Sequence, residues 1–472
     1  MYELEGCIIR YLVGDRFCKL PRYELYQVRF LPLEKHMMKL LLALWLSSFS
    51  LTFAQTSIGI SEADLTPEMQ VPLGGYGSAA RRNWPFQFFK TRPFLRLFKS
   101  AQGSLDPIRA KVMTLYKNNQ RIVWISLDVV GAPAEIHTAL SSKLAPLGVK
   151  SEHLFISATH THSGPGALSR NHFWQVFAMD RFQNDFYQFF IDKIVSAVKE
   201  AIDSETSARL FSHRFKADGL THSRRAGGND IDREVTTLLA RSDDGRWLGG
   251  IVNFAIHGVC LGDDNLYFSS DVPGSIERSV EDYLEKQNPF FSSKKPTILL
   301  INGAEGDVSP DHYGKEGMER IGKDFISKLN ESWSSTEEIN PEIKVRSTEI
   351  KLGTPKVILR KCLEKNWIPK WFGLRIKRYI NSTTTLSQIQ LGQMLFVTWP
   401  GEPTSALGLE LKNHIYQNGY NRAVVMGLTN DHLAYFTTPE EFLAGGYETC
   451  VNFFGADGGN NILQKHKDII NQ

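Results

Sequence analysis

The sequence predicts a mixed α/β fold: one large domain of mostly antiparallel and mixed β-sheets flanked by helices, with candidate metal ligands gathered at strand ends. Three observations predict it. From Ser57 onward, short β-type apolar runs alternate with stretches of helical periodicity. Several β-type runs follow one another closely, as antiparallel neighbours do. Two of them run into a histidine, His160 and His257, with glycine close behind.

In chain order, residues 112–116 and 122–127 read as strands joined by a turn at Asn118-Asn119, and helical periodicity extends over 132–145. Residues 153–157 form a short strand that leads into a Gly/Pro loop. Apolar residues at three- and four-residue spacing over 182–202 mark a long amphipathic helix. Strands are expected at 208–215, 234–241 and 247–255, a helix at 272–286 and a strand at 297–301. The later half continues with a helix at 318–329, strands at 344–352, 384–391 and 394–398, a helix at 404–416 and a strand at 423–428. No internal repeat or low-complexity linker appears. Two loops, 81–99 and 361–378, are both aromatic and basic. They read either as solvated loops with snorkelling side chains or as a surface that meets lipid headgroups or lines a substrate entrance.

The composition belongs to a globular protein: 472 residues, 42% hydrophobic and 22% charged, with a net charge of only +3. No long basic stripe calls for nucleic acid as a partner. The first 54 residues differ from the rest. Met37-Met38-Lys39 precedes the apolar run Leu40–Leu46, and Thr52-Phe53-Ala54 precedes Gln55. A basic start, an apolar centre and small residues before a cleavage point make 37–54 a signal peptide, so export to the periplasm or the medium is expected. Residues 1–36 then read as an over-extended start, with Met37 or Met38 as the initiator and 55–472 as the mature domain. The alternative is a buried N-terminal helix. The remaining Cys260, Cys362 and Cys450 are scattered and form neither a disulfide framework nor a thiolate metal site. Any metal must therefore be held by histidine and carboxylate.

The chemistry-bearing residues cluster in five segments. In Thr159-His160-Thr161-His162-Ser163-Gly164-Pro165, an extended backbone would turn both imidazoles to one side; the alternative is a pair of hydrogen-bonded core histidines. Asn253-Phe254-Ala255-Ile256-His257-Gly258 repeats the strand-end histidine, and Asp271 downstream suits a helix N-cap. Residues 299–310 carry an apolar strand into Asn302-Gly303-Ala304-Glu305-Gly306-Asp307-Val308-Ser309-Pro310, a pattern that also suits a simple turn. Pro400-Gly401-Glu402-Pro403 places a carboxylate just before a helix, where it serves either a site or the helix dipole. Asn430-Asp431-His432-Leu433-Ala434-Tyr435-Phe436-Thr437-Thr438-Pro439-Glu440-Glu441, with Tyr447 after it, is rich in ligand and hydrogen-bonding groups.

Taken together and in this order, Ala158–Gly166, Phe254–His257, Gly306–Pro310, Pro400–Glu402 and Tyr435–Glu441 resemble the neutral (alkaline, non-lysosomal) ceramidase family, from about residue 57 to the C-terminus. The resemblance implies a single zinc ion held by His160, His257, Glu402 and Tyr435. It makes Ser309 the nucleophile, with His162, Tyr447 and Arg224 holding the amide and its developing oxyanion. Whether Ser309 attacks directly or orients a zinc-activated water stays open. The family's Asn-Arg-Ser segment reads Ser223-Arg224-Arg225 here, so Arg225 is the alternative arginine. Members of the family also carry an immunoglobulin-like C-terminal domain, whereas this sequence runs about 25 residues past Tyr447.

The implied activity is hydrolysis of the N-acyl amide bond of ceramide or a related N-acyl lipid, with peripheral contact to a membrane surface. Two other readings are an amidohydrolase-type barrel opening on His160-x-His162, acting on a small amide or ester, and a zinc-binding member of the family that has lost activity.

Overall fold

The computed structural model describes residues 55–83, 96–225, 227, 230–288, 294–358 and 373–472. Strand β1 (Ser57–Asp64) pairs along its length with the antiparallel β2 (Arg109–Lys117), from Ser57↔Tyr116 to Asp64↔Arg109. Asn118 and Asn119 then turn the chain into β3 (Gln120–Leu127). Both have positive φ, 52° and 60°, as in the tight hairpin turn whose twist matches the strands it joins. Helix α1 (Ala134–Leu144) carries the chain over to β4 (Leu154–Ala158), which lies parallel to β3. After helix α2 (Asn184–Asp203) come the antiparallel strands β5 (Thr206–Lys216), β6 (Glu234–Ser242) and β7 (Trp247–Phe254). Helix α3 (Asp271–Lys286) crosses to β8 (Thr297–Asn302), parallel to β7, and α4 (Gly314–Glu331) follows.

The strand order is β8-β7-β6-β5-β1-β2-β3-β4, with the short Glu337–Ile339 paired on β5. Both ends of the sheet are parallel pairs and its middle is antiparallel. The outer edge of β8 has no ladder partner, and side chains satisfy it instead. Glu281 and Glu277 of α3 accept the Ile298 and Leu300 amides, while Ser126 of β3 donates to the Leu300 carbonyl. Lys111 of β2 bridges the two glutamates at 3.0 and 2.8 Å. Burial pulls the Lys111 ammonium down, but the two carboxylates outweigh it and hold its pKa above the ordinary lysine value.

A second sheet is built from β9 (Ile343–Lys351), β10 (Thr383–Leu391), β11 (Met394–Thr398) and β12 (Arg422–Met426). Helix α5 (Ser405–Gln417) makes the parallel crossover from β11 to β12. Trp124, Phe155 and Leu299 of the large sheet pack with Ile389, Phe396 and Met426 of the small one in one fully buried core. Period-two alternation sends the intervening residues outward: Val112, Val123 and Ile156 pack with α1 and α2, and Leu395, Val397 and Val425 pack with α5. Helices α3 and α4 cover β7 and β8. The layers are helix, sheet, sheet, helix.

Four expectations need correction. Asp271 does not cap α3: it lies inside the first turn at φ 54°, and its buried carboxylate accepts the Cys260 and Leu261 amides as well as that of Val272. It fixes the loop after His257 instead. Cys450 is disulfide-bonded, a pairing that the scattered spacing of the cysteines did not announce, while Cys260 is free and buried. No barrel forms, since His160 follows an edge strand of a mixed sheet. A C-terminal helix α6 (Gly458–Ile470) was not anticipated, because it opens on the poor helix formers Gly458-Gly459-Asn460-Asn461. Tertiary contact decides it. Ile462, Leu463 and Ile469 are buried, and a Cβ at Gly459 would lie 2.6 Å from the Thr437 carbonyl oxygen.

The proposed start and export segments, 1–54, lie outside the described residues, as do 84–95 and 359–372 of the two aromatic, basic loops. At the described end of the first loop, Arg81 is buried rather than solvated, and donates to the carbonyls of His162, Gly74 and Asp263. No described helix is long and apolar enough to cross a membrane.

Two outcomes follow for stability. Lys111→Ala strands two buried carboxylates and should cost about 3–5 kcal/mol, read as a lower denaturant midpoint. His466 of α6 donates to the Thr398 carbonyl at 2.9 Å, and burial pushes its pKa down to about 4 from an ordinary 6.5. The unfolded chain therefore takes up this proton first, so the stabilisation is complete above pH 6.5 and is lost as pH falls toward 4. Thermal melts of wild type should show that loss, on the order of 3 kcal/mol, and His466→Gln should lack it.

Candidate metal centre and active site

Each segment that brings a candidate ligand to the site begins where a strand stops. His160 follows β4, His257 follows β7, Glu305 follows β8 and Glu402 follows β11. The Asn302 side chain ties the histidine loops together: its amide donates to the Thr159 and Ile256 carbonyls, and its oxygen accepts the Ile256 amide. Glu402-Pro403 pairs in parallel with Tyr435-Phe436, which sets Glu402 directly beside Tyr435.

His160 is not extended. Its φ is 64°, a strained region for a residue with a Cβ, so the strand-like alternation expected for His160 and His162 does not bring them together. The turn does, leaving their Nε2 atoms 3.2 Å apart. A close packing of Gly258 on Thr161 supports that turn; a Cβ at Gly258 would fall 2.7 Å from the Thr161 Cα.

The ring nitrogens settle the chemistry of the centre. His160 Nδ1 donates to the Val130 carbonyl at 2.6 Å, and His257 Nδ1 donates to the Val308 carbonyl at 3.0 Å. In a neutral imidazole the other nitrogen then carries a lone pair. Those two Nε2 atoms lie 3.2 and 3.4 Å from the same Glu402 oxygen, Oε2, which accepts no hydrogen bond. Burial and the Arg224 charge push the His257 pKa down to about 3, so that ring stays neutral. Three lone pairs pointed at one buried spot repel one another unless a cation lies among them. The donor set therefore fits a metal ion, and backbone carbonyls orient both imidazoles as in known metal sites.

Tyr435 completes the ring around this point, its hydroxyl 3.2 Å from His257 Nε2 and accepting from Arg224 Nη2 at 3.0 Å. Arg224 also donates to the Gly306 carbonyl and to Glu448. Arg225 shares Glu448 but otherwise anchors the Glu441 and Gly445 carbonyls. Tyr447 packs edge-on to Tyr435, with ring centroids 5.6 Å apart, and is 63% exposed. Ser309 lies in the short strand Val308–Pro310, paired with His222, one residue past the carbonyl that orients His257. It is buried and is not among the residues lining the cavity over the ligands.

That cavity has a volume of about 400 Å³. Its walls are apolar, from Phe173, Trp174, Phe177, Met179, Val451 and Phe453, while His160, His162, Glu402 and Tyr435 form its polar part. Phe177 is 54% exposed at its rim. The shape is that of a pre-formed cleft for an apolar ligand with a few convergent polar groups.

Two residues of the centre escaped the sequence reading. His432 Nε2 donates to the second Glu402 oxygen at 3.1 Å, and its ring stacks on Trp174. Glu305 is fully buried beside Glu402 and His160. Both stand in segments already noted for polar groups, but only the packed loops show which of those groups face inward.

A profile described as "Neutral/alkaline non-lysosomal ceramidase, N-terminal" matches residues 99–324 and 327–464. The chain belongs to this family. It is 22% identical to the neutral ceramidase of Mycobacterium tuberculosis, over 84% of this chain and 74% of that one. The neutral ceramidase of Pseudomonas aeruginosa is 23% identical over 57% of this chain, and neutral ceramidase B of Dictyostelium discoideum 26% over 42%. Those two alignments span only 39% and 30% of the relatives' own lengths. The crystal structure of the Pseudomonas enzyme superposes with a TM-score of 0.73 at 19% identity, covering 88% of this chain and 74% of that one. A structure of a ceramidase complexed with C2 has the same TM-score at 18% identity, covering 88% and 75%.

Since His432 holds Glu402 without facing the three lone pairs, it acts as a positioning residue. His432→Ala should weaken divalent-ion affinity about 10- to 100-fold, measured by competition with a chromophoric chelator. Unchanged affinity would remove it from that role.

Proposed function

We infer that the chain is a metal-dependent amide hydrolase that cleaves the N-acyl bond of ceramide or a related N-acyl lipid, releasing a fatty acid and an amine such as a sphingoid base. The observation that carries this reading is the meeting of the His160, His257 and Glu402 lone pairs at the polar part of an apolar cleft, in a chain of the ceramidase family. An aliphatic acyl chain matches the cleft wall, and an amide matches its polar part.

Zinc is the ion we assign, held by His160, His257 and Glu402 with Tyr435 as the fourth ligand; nitrogen and oxygen donors of this kind suit it. When bound, it supplies Lewis acidity toward a carbonyl and acidifies water. The protein's own groups do the rest. Arg224, through its hydrogen bond to Tyr435, sets positive charge beside the point where an oxyanion would develop. His162 lines the cavity, and its buried Nδ1 has no hydrogen-bond partner. Burial and the neighbouring histidines keep its pKa well below the usual value, so as a neutral ring it can hold or pass one proton at the scissile amide. Tyr447, at the mouth, contacts the substrate's polar head. Ser309 is assigned as nucleophile or as the group that orients the attacking water, and its place next to the His257 anchor supports that role.

Export and a peripheral membrane contact complete the proposal. The signal-like segment 37–54 and the disulfide at Cys450 support an oxidising compartment. Phe177 and Tyr447, both exposed and both lining the cavity, support approach to a lipid surface.

An assay of fatty-acid release from ceramides, N-acyl amino acids and simple esters tests the reading. Wild type should prefer the ceramides, and His160→Ala and Ser309→Ala should each lower kcat/KM by about 10³-fold or more. No turnover of any amide, or turnover untouched by both substitutions, would overturn it.

A further inference from the structure

One buried carboxylate has no part in the chemistry above. Glu305 is 0% exposed, and neither of its oxygens accepts a hydrogen bond from another described residue. Its backbone is fixed on both sides, with the Val308 amide donating to the Glu305 carbonyl at 2.8 Å and the Gly306 amide to the Pro403 carbonyl at 2.9 Å. The side chain occupies space that a glycine leaves open: a Cβ at Gly427 would lie 2.7 Å from Glu305 Oε2. The site is therefore shaped around this carboxylate.

We propose that Glu305 is a further ligand of the ion held by His160, His257 and Glu402, an inference that rests on the metal assignment above. Two sets of potential ligand atoms occur there, His160/His162/His257 and His160/Glu305/Glu402, each with its atoms within 4.8 Å of one another. Both sets contain His160. With Nδ1 committed to the Val130 carbonyl, His160 has only one lone pair to give. The sets consequently describe one ion rather than two, and Glu305 faces that ion. A limit of 4.8 Å leaves room for the span of about 4 Å that two ligands take at 2.0–2.2 Å from one zinc.

Electrostatics point the same way. Two glutamates buried side by side without hydrogen-bond donors enough for both are costly, and a divalent cation between them removes that cost. The predicted coordination is thus richer in carboxylate than the set implied by sequence resemblance alone, and it binds the ion more tightly.

The test compares wild type, Glu305→Gln and Glu305→Ala by competitive titration with zinc alone, and by visible absorption after loading with cobalt(II) alone. Glutamine keeps the volume of a protonated glutamic acid but loses the anionic ligand. Ligation predicts at least about a tenfold loss of zinc affinity in both variants, with altered cobalt band positions or intensities. Metal-free melting temperatures at or above that of wild type will show that the variants are folded. Wild-type zinc affinity and an unchanged cobalt spectrum in Glu305→Gln would overturn the ligand assignment while leaving the metal site intact. A wild-type protein that binds neither ion would instead overturn the metal reading and this inference together.

Discussion

Glu402 Oε2 sits between two imidazole nitrogens whose protons have been committed elsewhere, and this contact organises the site. Each histidine gives its Nδ1 proton to a main-chain carbonyl, so in the neutral ring its remaining nitrogen can only accept. A carboxylate oxygen facing both is stable in a buried setting only with a cation among them. The loops after β4, β7 and β11 all have to end at the same point for this to happen. Asn302 links the first two loops, and the pairing of Glu402 with Tyr435 connects the third to the segment that supplies Arg224's partner.

The scaffold is built to hold such a point still. Its large sheet ends in parallel pairs on both sides, and parallel pairs bring successive strand ends to the same side of a fold. Side chains, rather than a further strand, close the outer edge of β8, and the Lys111 bridge fixes the two glutamates there in place. The small sheet then fills the inner face with aromatic and aliphatic side chains. Strain gathers around the site, where His160 and Ala434 in loops and Asp271 in the first turn of α3 all take positive φ.

The cleft joins an apolar wall to a polar centre. Phe173, Trp174, Phe177, Val451 and Phe453 make the wall, His160, His162, Glu402 and Tyr435 bring polar groups together, and Arg82 adds a charge beside the 173–177 segment. Arg224 joins an ion pair with Glu448 to a hydrogen bond with the hydroxyl of Tyr435, so its guanidinium ties the segment 441–448 to Tyr435. Arg225 reinforces the same segment from its other side.

Much of the architecture was legible before folding, because amphipathic periodicity reports burial directly. The strands around Asn118-Asn119, the helix now at Asn184–Asp203 and the strand at Met394–Thr398 were all placed within a few residues. The family and its ordered motifs were legible for a similar reason: residues bound to a common point tolerate little change in type or local spacing. Helix α6 was not, since its propensity is poor and its contacts are distant in sequence. Nor was the geometry of His160, whose left-handed turn no local pattern announces. By itself the sequence determined which elements form and which residue types are available to bind a metal. Tertiary structure alone decided which lone pairs face one another, that His432 braces Glu402, and that Glu305 lies buried beside Glu402, because tautomer, burial and missing partners are properties of packed neighbours far apart in the chain.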